Sequence, residues 1–179
     1  CFVVDCLFLA NSAYVYGGAL MGYDTVTVVN SRFEANEAIR GGGLMTDTWS
    51  SAVGLSAINC AFIGNKARLG GGLYHMWGTT NLMNCVLVDN IAEDYGGGVL
   101  NGSSAGGISI INTVFWANHV GSDFSETAQI HQSSTSSDIG VDYSCIQGWT
   151  GTLGGTGNIG NDPLFLREQE VGWKAFKDT

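Results

Sequence analysis

The chain has 179 residues, enough for one domain with a sizeable core, and 16 acidic against 7 basic side chains leave a formal charge of −9. That charge repels a nucleic-acid duplex or an anionic membrane surface, and Arg32, Arg40, Lys66, Arg68 and Arg167 are scattered rather than clustered, so nucleic acid is not an expected partner. With 45 % apolar and 13 % charged residues, 27 glycines and one proline, the composition excludes disorder and collagen, and no run reaches the roughly 20 apolar residues of a membrane span.

No basic-then-apolar signal segment opens the chain. Cys1 leads at once into strand-like Phe2-Val3-Val4 with no flexible tether, which speaks against a lipidated cysteine and for a longer or processed protein. A motif then begins at Phe8-Leu9-Ala10-Asn11. It returns as Phe33-Glu34-Ala35-Asn36, Phe62-Ile63-Gly64-Asn65, Leu87-Val88-Asp89-Asn90 and Phe115-Trp116-Ala117-Asn118, at intervals of roughly 25 to 29 residues, the range of solenoid repeats.

Around each motif, side chains alternate as in a strand: Val4/Cys6/Phe8, Val29/Ser31/Phe33, Ile58/Cys60/Phe62, Met83/Cys85/Leu87 and Ile111/Thr113/Phe115 are expected to face inward together. Cys6, Ser31, Cys60, Cys85 and Thr113 then form one column of small side chains. Strands stacked about 4.8 Å apart with parallel side chains suit such a column better than a disulfide. Asp5, Asn30, Asn59, Asn84 and Asn112 face the other way, where stacked amides can bond along a ladder.

Each motif runs on to a glycine corner: Gly17-Gly18-Ala19-Leu20, Gly41-Gly42-Gly43-Leu44, Gly70-Gly71-Gly72-Leu73 and Gly96-Gly97-Gly98-Val99. Short strands with fixed corners and no helical period bury their apolar face only by winding, each coil pairing in parallel with the next. The expected fold is therefore all-β, a single-stranded parallel β-helix of about six coils over residues 1–165. Regular repeats fill 1–120 and irregular terminal coils 121–165, because after Asn118 the glycine corner gives way to residues 121–130 and a serine-rich turn at 133–137. Residues 166–179, with Trp173 and Phe176, form a tail or cap. The segment Gly155-Thr156-Gly157-Asn158-Ile159-Gly160 imitates a dinucleotide fingerprint but lacks the preceding strand and following helix.

The alternation of Phe-x-x-Asn with Gly-Gly-(Ala/Gly)-(Leu/Val) resembles the repeat of polymorphic outer-membrane proteins and the wider set of bacterial secreted right-handed parallel β-helix proteins. Tyr143-Ser144-Cys145-Ile146-Gln147-Gly148 and Asp162-Pro163-Leu164-Phe165 resemble endings common in that set. The resemblance implies a right-handed coil and an extracellular or cell-surface location. It also implies adhesion, display or carbohydrate binding or, alternatively, a polysaccharide lyase or glycoside hydrolase of pectate-lyase-like architecture.

Sites on such a coil are read down columns. Behind the corners stand Gly22, Thr46, His75, Asn101 and Gln132, with Tyr23, Asp47, Met76 and Gly102 one place on and His131 one place earlier. Asp47, His75, Asn101 and His131 are thus candidates to line a shallow groove. A glycosidase needs two carboxylates roughly 5 to 10 Å apart, and a lyase needs a base with cations or calcium. Asp47, His75 and His131 are the best catalytic candidates, yet no column holds paired carboxylates or a basic cluster. Trp49, Trp77 and Tyr74, with Asn101, are the candidates for glycan binding, since aromatic faces stack on sugars. No cofactor or metal site is expected, calcium through Asp89, Glu93 and Asp94 being the one option considered. Glu37 and Arg40, Lys66 and Arg68, and Glu93 and Asp94 alternate in sign between coils, which suits cross-coil pairing. A polysaccharide or surface glycan is the expected partner, and end-to-end or side-by-side self-association is a further option because coil ends are open sheet edges.

Overall fold

A computed structural model describes residues 1–48, 53–102, 106–133 and 138–165. They wind as a parallel β-solenoid of five turns and a partial sixth, close to the expected six. The strands stack in four sheets, two of six strands, one of four and one of five, the first coil meeting the four-stranded sheet only through isolated bridges at Ser12 and Tyr16. The first sheet stacks Phe2–Val4, Val26–Val29, Val53–Ile58, Thr79–Met83, Ile108–Ile111 and Ile139–Asp142. The second stacks Leu7–Leu9, Arg32–Glu34, Ala61–Ile63, Val86–Val88, Val114–Trp116 and Cys145–Ile146. The third holds Glu37–Arg40, Lys66–Leu69, Ile91–Tyr95 and His119–Val120, and the fourth Leu20–Gly22, Leu44–Asp47, Leu73–Trp77, Val99–Asn101 and Ile130–Gln132. Every pairing between these strands is parallel, with Phe8↔Phe33↔Phe62↔Leu87↔Phe115 in one register row.

That row is the axis of the core. Phe33, Phe62, Leu87 and Phe115 are fully buried, and the rings stack at 4.8 Å from Phe8 to Phe33 and 4.7 Å from Phe33 to Phe62. The ring spacing equals the strand spacing, so identical aromatics in one column pack face to face without adjusting the backbone. Ser31, Cys60, Cys85 and Thr113 are buried as the small column expected, Cys6 of the same column is exposed, and all five cysteines are free thiols.

One part of the expected core faces outward. Val4 and Met83 are each 40 % exposed, and the inward row of the first sheet is instead Val28, Ala57, Leu82, Ile110 and Val141. The reason lies in the residue between the first two sheets. Asp5, Asn30, Asn59, Asn84 and Asn112 all take the left-handed conformation, with φ from 49° to 54°, and one such residue resets the alternation by one place. Asn and Asp reach that region at lower cost than other side chains, because their short polar groups bond locally. Their amides form the outer ladder expected, with Nδ2 of Asn59, Asn84 and Asn112 donating to Oδ1 of the previous coil at 3.2, 3.2 and 3.3 Å.

A second, buried ladder stands at the other end of each motif. Asn36, Asn65, Asn90 and Asn118 are fully buried, and each Oδ1 accepts both the backbone N–H and the Nδ2 of the previous coil's Asn at 2.8 to 3.1 Å. The glycine corners follow it. At Gly71 an added Cβ would come within 2.4 Å of the Ile91 carbonyl oxygen and 2.5 Å of that of Gly97, so only glycine lets the coils approach this closely.

The irregular fifth coil carries a short helix the repeat did not foretell, Glu126–Gln129. Gln129 takes the place of the next ladder residue: its Oε1 accepts the N–H of Asn118 at 3.2 Å and its Nδ2 at 2.8 Å, while its Nε2 donates to the carbonyls of Asn118 and Phe124. The buried Glu126 carboxylate accepts hydrogen bonds from the N–H and hydroxyl of Thr150 and the N–H of Leu153, fastening the terminal loop. Ser144, Gln147 and Asn158 accept from Thr113, Ala117 and Ser144 backbone N–H groups, which gives the terminal motifs their structural role. The glycine-rich 155–160 segment lies in this loop, with Ile159 bridging to Cys145. The tail 166–179 and most of the serine turn lie outside the described residues.

Candidate functional site

Register and alternation decide where the fourth-sheet candidates point. Thr46, His75, Asn101 and Gln132 do form one row, next to Met45, Tyr74, Leu100 and His131. The first row faces the interior: Thr46, His75 and Asn101 have no exposed surface. Rather than lining a groove, His75 lies inside the coil, where its Nδ1 meets the hydroxyls of Thr46 at 3.1 Å and Thr80 at 2.9 Å. Its Nε2 is buried without a hydrogen-bond partner among the described residues.

Burial drives the His75 pKa from 6.5 to about 4, against the weaker opposing pull of the Gly78 backbone. An ordinary unfolded histidine takes up a proton near pH 6.5, and the folded ring does so only near pH 4. Stability is therefore complete above that window and falls as pH drops through it, by about 3 kcal/mol on reaching the folded pKa. Urea unfolding between pH 7 and 4 checks this: His75→Gln should flatten the profile, and an unchanged profile would contradict the buried neutral ring.

Asp47 stands on the opposite side of its strand from His75. A register shift between His75 and Trp77 places Asp47 beside Trp77 rather than beside Met76. Three coil steps separate Asp47 from His131, about 14 Å at the ordinary strand spacing. Asp47, His75 and His131 thus do not converge on one substrate position. Tyr74 is 8 % exposed and packs with Met45 and Leu100 in a small outer cluster, and its ring lies over Gly102, so little of its face is available. Trp77 is half-buried. Trp49 lies outside the described residues.

The structure instead assembles a cleft where the fourth and fifth coils meet. Asp94, Tyr95, Asp123, Thr127 and His131 line a space of about 210 Å³, with Gly96, Val120 and Ala128 forming the rest of its wall. Tyr95 is 50 % exposed and stacks on His131 at 4.7 Å with 29° between the rings. Burial lowers the His131 pKa and favours its neutral form. Asp94 pairs with Arg68 at 2.7 Å, and Asp123 accepts the N–H and hydroxyl of Ser125 at 2.8 and 3.0 Å. From sequence, His131 is a catalytic candidate and Asp94 belongs to the calcium option, whereas Asp123 and Thr127 are in neither. Asp123 enters from the irregular coil, where no repeat column predicts its position.

A second, shallower groove of about 380 Å³ crosses the third sheet beside Tyr14, Glu37, Ile39, Lys66, Arg68 and Glu93. It carries the expected cross-coil pairing, Lys66 with Glu37 at 4.0 Å and Arg68 with Asp94, contacts worth about 0 to 1 kcal/mol each in water. Among the described residues, no group of three or more His, Cys, Asp or Glu side chains is arranged to hold a metal ion, and no helix is long and apolar enough to cross a membrane. The calcium option through Asp89, Glu93 and Asp94 therefore has no assembled ligand set. No family model, curated protein or solved structure matches the chain.

Proposed function

We propose that this chain is a non-catalytic binding module that presents the Tyr95–His131 cleft to a neutral glycan. The observation that carries the reading is the meeting of a half-exposed aromatic pair with the Thr127 hydroxyl and the Asp94 and Asp123 carboxylates in one recess. A flat ring covers the C–H face of a sugar, and carboxylates accept its hydroxyl donors. At about 210 Å³ the recess is smaller than the roughly 300 to 1,000 Å³ of pockets that engulf a drug-sized ligand, a size suited to one sugar residue of a longer chain. Two carboxylates and a net charge of −9 disfavour uronate-rich or sulfated polymers.

Catalysis fits less well. The two cleft carboxylates meet the minimal glycosidase inventory, but both stand in polar surroundings, Asp94 beside Arg68 and Asp123 beside Ser125, and nothing sets one apart as acid and the other as base. The repeat's resemblance to exported bacterial β-helix proteins supports an extracellular or cell-surface setting, with adhesion or display as the physiological use.

The test is retention of the purified chain on immobilised neutral and acidic polysaccharides, with released products assayed in parallel. Retention on a neutral polymer without new chain ends is expected, reduced at least tenfold by Tyr95→Ala or Asp123→Asn. Cleavage, or retention indifferent to both substitutions, would overturn the reading.

A further inference from the structure

The fifth coil leaves the third sheet early. Its strand His119–Val120 pairs with Ile91–Tyr95 only at Ile91↔His119 and Ala92↔Val120. Gly121, with φ 60°, then turns the chain back, and Val120 and Asp123 bond to each other in both directions at 3.1 and 3.0 Å. These two residues belong to the wall of the glycan cleft. The residues flanking them, His119 and Phe124, face each other across the same turn and alternate to its other side. They form a second aromatic pair, with ring centroids 5.1 Å apart and 37° between the planes. His119 stands beside Ile91, whose neighbour Ala92 is buried, so the pair lies on the outer surface of the third sheet, where Phe124 is 42 % exposed. The His119 ring is fixed through Nδ1, which donates to the Gly121 carbonyl at 2.9 Å and leaves Nε2 of the neutral ring as an acceptor.

We infer that Phe124 and His119 form a second sugar subsite, so that the module takes a linear oligosaccharide segment rather than a single sugar. The inference rests on the glycan reading of the cleft and adds the place where the chain continues. From Ile91, beside His119, to Tyr95 is four residues along one strand, about 13 Å at the strand rise, a span that no single sugar ring bridges. Both ends of that span carry the same device. Asp94-Tyr95 presents a carboxylate and an exposed ring stacked on His131, and Asp123-Phe124 presents a carboxylate and an exposed ring packed on His119. Each ring can cover the C–H face of one sugar, and the carboxylates beside the rings accept hydroxyl donors from the sugars they bind. A sugar linked to one already held in the cleft reaches Phe124 at high effective concentration, so a second modest contact raises the affinity of the whole segment.

The test measures, by calorimetry on the full chain, the affinity for neutral glucan, mannan, galactan and xylan oligomers from monosaccharide to hexasaccharide. In the series that binds, affinity should rise at least tenfold with length and level off once both aromatic pairs are covered. Phe124→Ala should remove that rise and Phe124→Tyr should keep it, whereas Tyr95→Ala should weaken binding at every length. Affinity independent of length, a rise that survives Phe124→Ala, or equal weakening of monosaccharide and hexasaccharide by that substitution would overturn the second subsite while the cleft reading stands. No binding of any oligomer at millimolar sugar would overturn both.

Discussion

Replacing Asn65 by leucine should cost about 3 to 6 kcal/mol in urea unfolding at pH 7, as the sum of several buried polar groups left unpaired at roughly 1 to 3 kcal/mol each. Leucine matches the size of asparagine but neither accepts nor donates. The substitution strips the acceptor from the N–H and Nδ2 of Asn36, removes the donor to the Phe33 carbonyl, and takes one of two donors from Asn90 Oδ1. All three asparagines are without exposed surface, so water does not replace these partners. Asn59 is the matched control. It stands in the outer ladder with its bonds to Asn30 and Asn84 exposed to solvent, and its replacement by glycine, which keeps the positive φ without strain, should cost under about 1 kcal/mol. Equal losses at the two sites would contradict the assignment of one ladder to the interior and the other to the surface.

Phe62→Ala is expected to remove about 3 to 5 kcal/mol by opening a cavity in the middle of the aromatic row. Phe62 is fully buried, stacks on Phe33 with 5° between the rings, and pairs in register with Leu87. Its neighbours are held at the strand spacing by the backbone ladders, so they cannot collapse into the gap. In a chain of this size the loss corresponds to a fall in melting temperature on the order of 10 °C. Met83→Ala makes the comparison specific to the observed phase of the strands. Simple alternation places Met83 on the same inward face as Leu87, whereas the structure leaves it 40 % exposed, and its truncation should cost under about 1 kcal/mol. Thermal melts that rank Met83→Ala with Phe62→Ala would restore the unbroken alternation and contradict the left-handed residue between the sheets.

The coil was legible because the same residue type recurs at the same place in successive turns. Stacking makes that recurrence a physical requirement: a phenylalanine column packs, an asparagine column bonds, and a glycine column lets carbonyls of neighbouring coils approach. The phase reset was also written in the chain, in Asp5, Asn30, Asn59, Asn84 and Asn112, all residue types that tolerate positive φ. Besides forming a ladder, these residues shift the strands on either side by one place.

The site was less legible. The row containing His75 and Asn101 is correctly aligned, but alignment does not reveal which face is inward, and both polar residues lie inside, His75 against the hydroxyls of Thr46 and Thr80. Gln129 stands in for an asparagine only because a helix brings it there 11 residues after Asn118. Asp123 joins Asp94 and Tyr95 for the same reason, through an irregular coil with no repeat to measure it against.

The most direct test of the glycan cleft is amide chemical-shift mapping of the ¹⁵N-labelled chain titrated with a neutral oligosaccharide cut from the polymer that retains it. The account predicts saturable shifts confined to residues 94–96 and 120–131, with the oligosaccharide recovered intact. Shifts centred instead on residues 12–14, 37–39 and 66–68, or an absence of shifts at millimolar sugar, would contradict it.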